Sequence, residues 1–206
     1  MHDPAGASAS VPVGNTYDKY GSTNPVARRL MQGFTADLDH LLDVAAPGSV
    51  LDVGCGEGVL TAQWAGRFEH VVGVDLEHPA LRREWEKRTA ANLEFRAAEA
   101  TALPFGADAF DLVCAIEVLE HVAEPHAALE EMARVARSFV LVSVPREPLW
   151  RALNLLRGAY WRSFGNTPGH LNHWSARGLL ELAARHGHVV ESRSPLPWTI
   201  VLVDVG

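Results

Sequence analysis

The chain of 206 residues is long enough to bury one substantial core, and a length of this size makes a second domain unexpected. Its apolar fraction of 48% and charged fraction of 21% are those of a globular protein, and no apolar run in the sequence is long enough to span a bilayer. The net charge of −7 opposes broad attraction to nucleic acid, and two cysteines are too few for a disulfide framework. These properties favour a cytoplasmic protein whose partners are small molecules rather than nucleic acid, and they leave the oligomeric state open.

The start of the chain lacks the positive charge and the apolar stretch of a secretory signal. We therefore predict a mobile tail over residues 1–14 and a single domain over 15–206. Asn24 followed by Pro25 is a good helix start, because Asn caps exposed amides and Pro tolerates the first helical position. Apolar residues then recur at steps of three and four, which predicts an amphipathic helix.

After this helix, short apolar runs alternate with stretches of helical periodicity. The runs predict strands at 50–53, 71–74, 93–95, 112–116 and 139–144. Runs that are apolar on both sides suit a parallel sheet, and right-handed crossovers then place helices on both of its faces. Two further runs, 189–190 and 199–203, predict a closing hairpin. The sequence therefore predicts a Rossmann-like, doubly wound α/β fold with seven strands, mostly parallel but with an antiparallel C-terminal hairpin strand.

The most informative stretch is VLDVGCGEG, which passes from a β-branched run directly into Gly54, Gly56 and Gly58. Glycine bares the backbone where a ligand approaches or the chain bends sharply. Asp75 closes the next apolar run, where a carboxylate can hydrogen-bond a ribose diol. Two structural alternatives stay open, an ordinary tight turn at the glycines and a helix cap formed by Asp75 ahead of Pro79.

The same turn is a poor match for a nicotinamide dinucleotide. Its fingerprint GxGxxG fails because Val59 stands at the third glycine position. Glu57 would also repel a pyrophosphate at the helix start that follows. The turn favours a ligand without a phosphate.

Four motifs extend this pattern in order along the chain: VLDVGCGEG, VVGVDLE, AAEATALPF and FDLVCAIEVLEHV. Together they resemble the class I S-adenosylmethionine-dependent methyltransferases of type 11, the branch that includes ubiquinone and menaquinone biosynthesis enzymes. The resemblance covers roughly residues 17–144. S-adenosylmethionine is a ligand of the expected kind, with a sulfonium and an amino acid in place of phosphates.

The resemblance implies a set of cofactor-binding residues, namely Tyr20, Asp52, Gly54, Cys55, Gly56, Asp75, Leu76, Glu99, Ala100, Ile116 and Glu117. Asp52 and the turn backbone would hold the methionine part, while Asp75 would bind the ribose hydroxyls. Tyr20 would close over the cofactor.

Beyond the ribose, the resemblance places Leu76 on the adenine and Glu99 and Ala100 beside its amino group. Ile116 and Glu117 would line the floor near the sulfonium. For both glutamates the alternative is an ordinary solvated side chain at a strand end.

The long connection over about 145–174 is the predicted lid, since loops beyond the carboxyl ends of strands form the substrate site in open α/β folds. We expect a lid helix in its first half, with Leu149, Trp150, Leu153, Leu156 and Tyr160 on one face and Arg151, Asn154 and Arg162 on another. Packing is the simplest role for this helix. Anion binding by its arginines and shallow contact with a membrane surface are the alternatives.

The catalytic candidates are His121, His170 and His173, because a histidine can take a proton from an acceptor hydroxyl near neutral pH. In the structural alternative, the two lid histidines only tie the loop to the backbone. We expect no metal site, because His170 and His173 alone supply too few ligands.

The sequence thus predicts S-adenosylmethionine-dependent methyl transfer to oxygen or carbon of a small organic acceptor, such as a natural product, a quinone or a lipid-like molecule. Because the sulfonium is an excellent leaving group, positioning carries most of the catalysis and a general base is not required. The alternative is a non-catalytic scaffold or regulatory protein of the same fold. The acceptor and the methylated atom are left open.

Overall fold

The computed structural model describes residues 24–156, 158, 164–167 and 169–206. The predicted tail over 1–14 lies outside the described residues. None of the described helices combines the length and the hydropathy that are needed to cross a membrane.

Six helices and seven strands make up the described part of the chain. In chain order they are α1 (Pro25–Ala45), β1 (Ser49–Val53), α2 (Val59–Ala65), β2 (His70–Asp75), α3 (Pro79–Trp85), β3 (Leu93–Ala97), β4 (Phe110–Ile116), α4 (Pro125–Val135), β5 (Ala136–Pro145), α5 (Leu149–Leu156), α6 (Ala176–Ala183), β6 (His188–Arg193) and β7 (Trp198–Asp204).

All seven strands form one sheet in the order β3-β2-β1-β4-β5-β7-β6. Neighbours from β3 to β5 are parallel, whereas β7 is antiparallel to both β5 and β6. The predicted seven-stranded, mostly parallel sheet with an antiparallel C-terminal strand is confirmed. In such a sheet the carboxyl ends of β1, β2 and β4 meet at one edge, which is where ligands bind in open α/β folds.

Helices cover both faces of the sheet, as the alternation of runs predicts. One core lies under α4 and α6, where Met132 and Leu179 are fully buried. The other lies under α1 and α2 and includes Leu41 and Trp64. Burying each large apolar side chain contributes about 1.5 to 3 kcal/mol, so these two layers hold the site edge rigid.

The first helix begins where its cap residues predict. The Asn24 side chain accepts a hydrogen bond of 2.9 Å from the backbone N–H of Val26, and Pro25 is the first helical residue. The helix ends at Ala46, which takes the left-handed conformation with φ of 42°. The buried side chains of α1 pack against the sheet.

The connection between β5 and α6 leaves the sheet and returns to its starting point. Arg146 forms an isolated parallel bridge with Trp174, and the N–H of Glu147 donates a 2.8 Å hydrogen bond to the Trp174 carbonyl. These contacts join the two ends of the connection between β5 and α6. They support our proposal that residues 145–174, here called the lid segment, form a lid.

The faces of α5 differ from the prediction. Asn154 is only 3% exposed, whereas Leu156 is 84% exposed. The Asn154 amide donates hydrogen bonds to the Gly165 carbonyl at 2.8 Å and to Thr167 Oγ1 at 3.2 Å. The predicted division of faces is therefore wrong, because the returning lid backbone covers this side of the helix with polar partners. Two further members of the predicted faces, Tyr160 and Arg162, lie outside the described residues.

Candidate active site

The glycine turn and the acid after β2 form one hydrogen-bonded unit. The N–H groups of Gly54 and Cys55 both donate to the Val74 carbonyl, at 2.8 and 3.0 Å. The N–H of Gly56 donates to Asp75 Oδ2 at 2.7 Å. The fold thus brings together the two elements on which the predicted adenosyl site depends.

The three glycines of the turn serve different purposes. A Cβ on Gly54 would lie 2.4 Å from the Val118 side chain, and one on Gly58 would lie 2.5 Å from the Phe95 ring. These two glycines are required by packing inside the protein. Gly56 has a φ of +55°, and among the described residues no atom lies within 4 Å of the position that its Cβ would take. Gly56 therefore faces a space that a ligand can fill.

The Asp75 carboxylate already accepts two backbone hydrogen bonds, from Gly56 and, at 2.7 Å through Oδ1, from Leu76. Each oxygen retains a second lone pair, so the carboxylate can also accept from a ribose diol. Burial raises the pKa of Asp75, the two amides oppose that rise, and the charge of Glu57 adds to it. The cap of α3 is His78, so the alternative that Asp75 caps this helix is wrong.

Asp52 lies in β1 directly behind the turn and is only 3% exposed. Burial raises its pKa to about 7, the 2.6 Å hydrogen bond from Thr61 Oγ1 opposes the rise, and the charge of Asp75 adds to it. Near neutral pH, Asp52 therefore exists in both protonation states. Burial, followed by the charges of the two aspartates, raises the pKa of the Cys55 thiol well above its usual range, which leaves this thiol unreactive.

The residues expected around the adenine lie at the same sheet edge. The N–H of Ala98 donates to the Asp75 carbonyl at 2.9 Å, which ties the segment after β3 to the acid. Glu99 is exposed and Ala100 packs against the core. Leu76 is 47% exposed although it is large and apolar, as expected of a side chain that a flat ring covers in the complex.

Glu117 follows Ile116, the last residue of β4, and has a left-handed φ of 61°. Its N–H donates to the Ser143 carbonyl at 3.1 Å, and its Oε2 accepts a 2.7 Å hydrogen bond from Trp198 Nε1. A non-glycine residue at positive φ costs about 1 to 3 kcal/mol, which these contacts to β5 and β7 offset. The alternative of a merely solvated glutamate is wrong here. Nothing in the sequence signalled the partnership with Trp198, because the two residues lie 81 positions apart, one after β4 and the other at the start of β7.

The turn after β4 is joined to the lid segment. The N–H groups of Leu171 and Asn172 donate to the Glu120 carbonyl at 2.7 and 3.1 Å. The Asn172 amide also donates to the carbonyls of Leu119 and Val122, at 3.1 and 2.7 Å. The second half of the lid segment is therefore fixed against the edge of the sheet that carries Glu117.

This junction brings His121 and His170 together, with ring centroids 4.9 Å apart and an interplanar angle of 83°. His121 Nδ1 lies 2.9 Å from the Gly169 carbonyl oxygen. One ligand-type atom from each of Glu120, His121 and His170 lies within 4.8 Å of the others. Glu120 was missed from sequence, although its position beside His121 at the end of an apolar run was an available signal.

The third histidine takes another partner. His173 Nε2 lies 2.9 Å from Asn166 Oδ1, and the side chain is exposed. Burial raises the pKa of the nearby Glu147, and the backbone N–H of Arg151 opposes that rise. Tyr20, the residue expected to close over the cofactor, lies outside the described residues.

Aromatic side chains line the region between Glu117 and the lid segment. The Trp198 ring lies 4.9 Å from Phe34 and 5.9 Å from Trp150, measured between centroids. The Trp150 ring is 6.5 Å from His170, and its Nε1 donates to Thr167 Oγ1 at 2.9 Å. This aromatic wall, formed by Phe34, Trp150 and Trp198, connects the core to the histidine pair.

Comparison with known proteins identifies the family. The family described as "Methyltransferase domain" matches residues 51–141, which include the glycine turn, Asp75 and Glu117. A ubiquinone biosynthesis O-methyltransferase of Hahella chejuensis is 33% identical over 171 residues, which are 73% of this chain and 71% of that protein. The chain belongs to the class I S-adenosylmethionine-dependent methyltransferases.

Further similarities agree with this membership. A demethylmenaquinone methyltransferase of Paenarthrobacter aurescens is 35% identical over 117 residues, 54% of this chain and 46% of that protein. The fold is shared with a magnesium protoporphyrin IX methyltransferase from Synechocystis, solved with bound S-adenosylhomocysteine, at 20% identity and a TM-score of 0.64 over 90% of each chain. This methyltransferase uses S-adenosylmethionine and acts on small-molecule acceptors, and the alternative of a non-catalytic scaffold is not favoured.

Proposed function

We propose that this methyltransferase transfers its methyl group to a hydroxyl oxygen of a small, ring-containing acceptor beneath the lid segment. The observation that carries the proposal is the cluster of Glu120, His121 and His170 beside the carboxyl end of β4. Oxygen methylation removes a proton from the acceptor, and this cluster supplies groups that accept protons. The relative from Hahella chejuensis is also named as an O-methyltransferase.

The cofactor part of the proposal uses the turn and the acids behind it. Asp75 would bind the ribose hydroxyls, while the open face of Gly56 would admit the adenosyl chain. Asp52, whose pKa is about 7, would lie beneath the methionine portion and exchange a proton near neutrality. Glu57 stands directly before Gly58, the N-cap residue of α2, and its carboxylate disfavours a phosphate at this helix start.

When bound, S-adenosylmethionine supplies a methyl group on a sulfonium, which is an excellent leaving group. The chain must therefore align the acceptor oxygen, exclude water and remove the hydroxyl proton. Alignment can contribute about 7 to 11 kcal/mol. As the carbon–sulfur bond breaks and the carbon–oxygen bond forms, the hydroxyl proton passes to the His121–His170 pair and then to solvent.

The acceptor class follows from the aromatic wall. Aromatic side chains pair with flat rings in offset or edge-on arrangements, each worth about 0.5 to 1.5 kcal/mol beyond area burial. Trp198 is buried, whereas Trp150 is partly exposed and its ring lies 6.5 Å from His170, so an acceptor ring that packs on Trp150 would carry its hydroxyl toward the histidine pair. A phenolic or other hydroxylated ring compound fits this chemistry.

Carbon methylation is the second candidate, and it is favoured by the similarity to a demethylmenaquinone methyltransferase. A carbon made acidic by a neighbouring carbonyl needs less help with its proton. The histidine pair would then have little effect on the rate.

The test uses S-adenosylmethionine labelled with ¹³C in its methyl group and a panel of hydroxylated aromatic and quinone-like acceptors, with products identified by NMR. We expect methyl ethers from the wild type and a rate for His170→Ala that is lower by on the order of 100-fold. His188→Ala is the matched control, since His188 is an exposed histidine at the far edge strand. Products that carry the label only on carbon would overturn the proposal.

A further inference from the structure

We propose that Trp85, the last residue of α3, is a positioning residue for cofactor binding. Its indole N–H holds the backbone of Gly56 in the conformation that receives the adenosyl group. The inference rests on the cofactor part of the proposed function. It adds to that function a side chain of α3 that acts through Gly56 rather than through its own contact with the ligand.

The backbone of Gly56 is held from two sides. Its N–H donates to Asp75 Oδ2 at 2.7 Å, and its carbonyl accepts a 2.8 Å hydrogen bond from Trp85 Nε1. Glycine has more conformational freedom than any other residue, so the left-handed φ of +55° at Gly56 is one of many that it can adopt. The two hydrogen bonds fix the peptide groups on either side of its Cα. The conformation of Gly56 therefore depends on Trp85 as well as on Asp75.

The indole of Trp85 is itself held in place. It is only 6% exposed and stacks on Phe95, with ring centroids 5.5 Å apart and an interplanar angle of 7°. Phe95 lies on β3 opposite Gly73 of β2. A Cβ would lie 2.8 Å from the Phe95 ring if placed on Gly73, and 2.5 Å if placed on Gly58. Both glycines thus leave room for the aromatic pair, which directs the indole N–H at the Gly56 carbonyl.

This bracing prepares the turn before the ligand arrives. Without the indole N–H, the Gly56 peptide groups can rotate, and only a fraction of the molecules then present the binding conformation. The apparent Kd rises by the inverse of that fraction. Rotation would also withdraw the Gly56 N–H from Asp75, whose carboxylate is proposed to bind the ribose hydroxyls. A neutral hydrogen bond shifts such an equilibrium by about 2- to 13-fold, which sets the size of the effect.

The first experiment is calorimetric titration of Trp85→Phe with S-adenosylhomocysteine on the full chain. This variant keeps an aromatic ring against Phe95 and lacks the N–H donor, so we expect the Kd to rise by about 3- to 10-fold. Trp64→Phe is the matched control, because Trp64 is 4% exposed and packs in the core under α1 and α2. We expect both variants to melt at lower temperature than the wild type, but only Trp85→Phe to bind more weakly.

The second experiment measures hydrogen exchange by NMR, which reports on the two hydrogen bonds directly. In the free wild type we expect a protected indole N–H at Trp85 and a protected N–H at Gly56. In Trp85→Phe the Gly56 N–H should exchange faster, which loss of packing elsewhere would not cause. If Trp85→Phe fails to fold, the wild-type measurement decides, and an indole N–H of Trp85 that exchanges as fast as an exposed indole would overturn the proposal.

The double variant Trp85→Phe/Asp75→Ala tests whether the two residues act on the same backbone. Because both hold Gly56, their effects should not add, and the Kd of the double variant should lie within about 2-fold of that of Asp75→Ala. Fully additive effects, an unchanged Kd in folded Trp85→Phe, or equal weakening in Trp64→Phe would overturn the role of Trp85 and leave the cofactor site intact.

Failure of the proposed function gives different results. Unchanged affinity in folded Asp75→Ala would overturn the proposed cofactor site and the role of Trp85 together. Label found only on carbon would overturn oxygen methylation, whereas a weakened Trp85→Phe in the same preparation would still support the positioning role.

Discussion

Replacement of Asp75 by alanine tests the adenosyl site most sharply. Each Asp75 oxygen accepts one backbone N–H and has a further lone pair for a ribose hydroxyl. A hydrogen bond to a charged group contributes about 1.5 to 3 kcal/mol, so Asp75→Ala should raise the Kd for S-adenosylhomocysteine by on the order of ten- to hundred-fold. Loss of the contact with Gly56 would loosen the turn and add to this effect.

The assay is calorimetric titration with S-adenosylhomocysteine, with circular dichroism as the check on folding. Glu77→Ala is the matched control, because Glu77 is an exposed acid two positions further on that pairs with Arg82 instead of the turn. We expect unchanged affinity in this control. Unchanged affinity in a folded Asp75→Ala protein would refute the assignment of Asp75 to the ribose.

Three further predictions follow from the same geometry. Because burial raises the pKa of Asp52 from 3.8 to about 7, the contribution of Asp52 to folding stability should be greatest below about pH 4 and fall by roughly 4 kcal/mol as the pH rises to 7. In urea denaturation, the difference in stability between Asp52→Asn and the wild type should therefore shift in favour of Asp52→Asn over this pH range, and a difference that does not change with pH would contradict the shift. Gly54→Ala should destabilise the fold, because the added Cβ would lie 2.4 Å from the Val118 side chain. Gly56→Ala should fold but bind the cofactor more weakly, because its Cβ would enter the space that the ligand fills. Equal melting temperatures for the two variants would contradict this distinction. Asn154→Ala should lower the free energy of unfolding by about 1 to 3 kcal/mol, because the Gly165 carbonyl loses its hydrogen-bond donor. The same variant should be cleaved faster by proteases in the lid segment. A cleavage rate equal to that of the wild type would show that this amide does not hold the lid segment.

Local sequence patterns were enough to predict most of the fold. The cap residue Asn24, the strand runs and the hairpin are confirmed because each depends on periodicity or on contacts between near neighbours. The proximity of the glycine turn to Asp75 was also predictable, since consecutive parallel strands place their carboxyl ends at one edge.

The remaining features depend on contacts between distant parts of the chain. The burial of Asn154 follows from lid backbone at Gly165, and no helical pattern contains that information. The partnership of Glu117 with Trp198 joins β4 to β7 across 81 positions, and the cluster at Glu120 needs the lid segment folded back. Polar residues at such junctions are where sequence periodicity ceases to predict burial.

The most direct test of the central claim is a crystal structure of the protein with S-adenosylhomocysteine. We predict both ribose hydroxyls within hydrogen-bonding distance of the Asp75 carboxylate and the adenosyl chain passing the open face of Gly56. Ligand density away from β1 and β2, with Asp75 bonded only to the amides of Gly56 and Leu76, would contradict the claim.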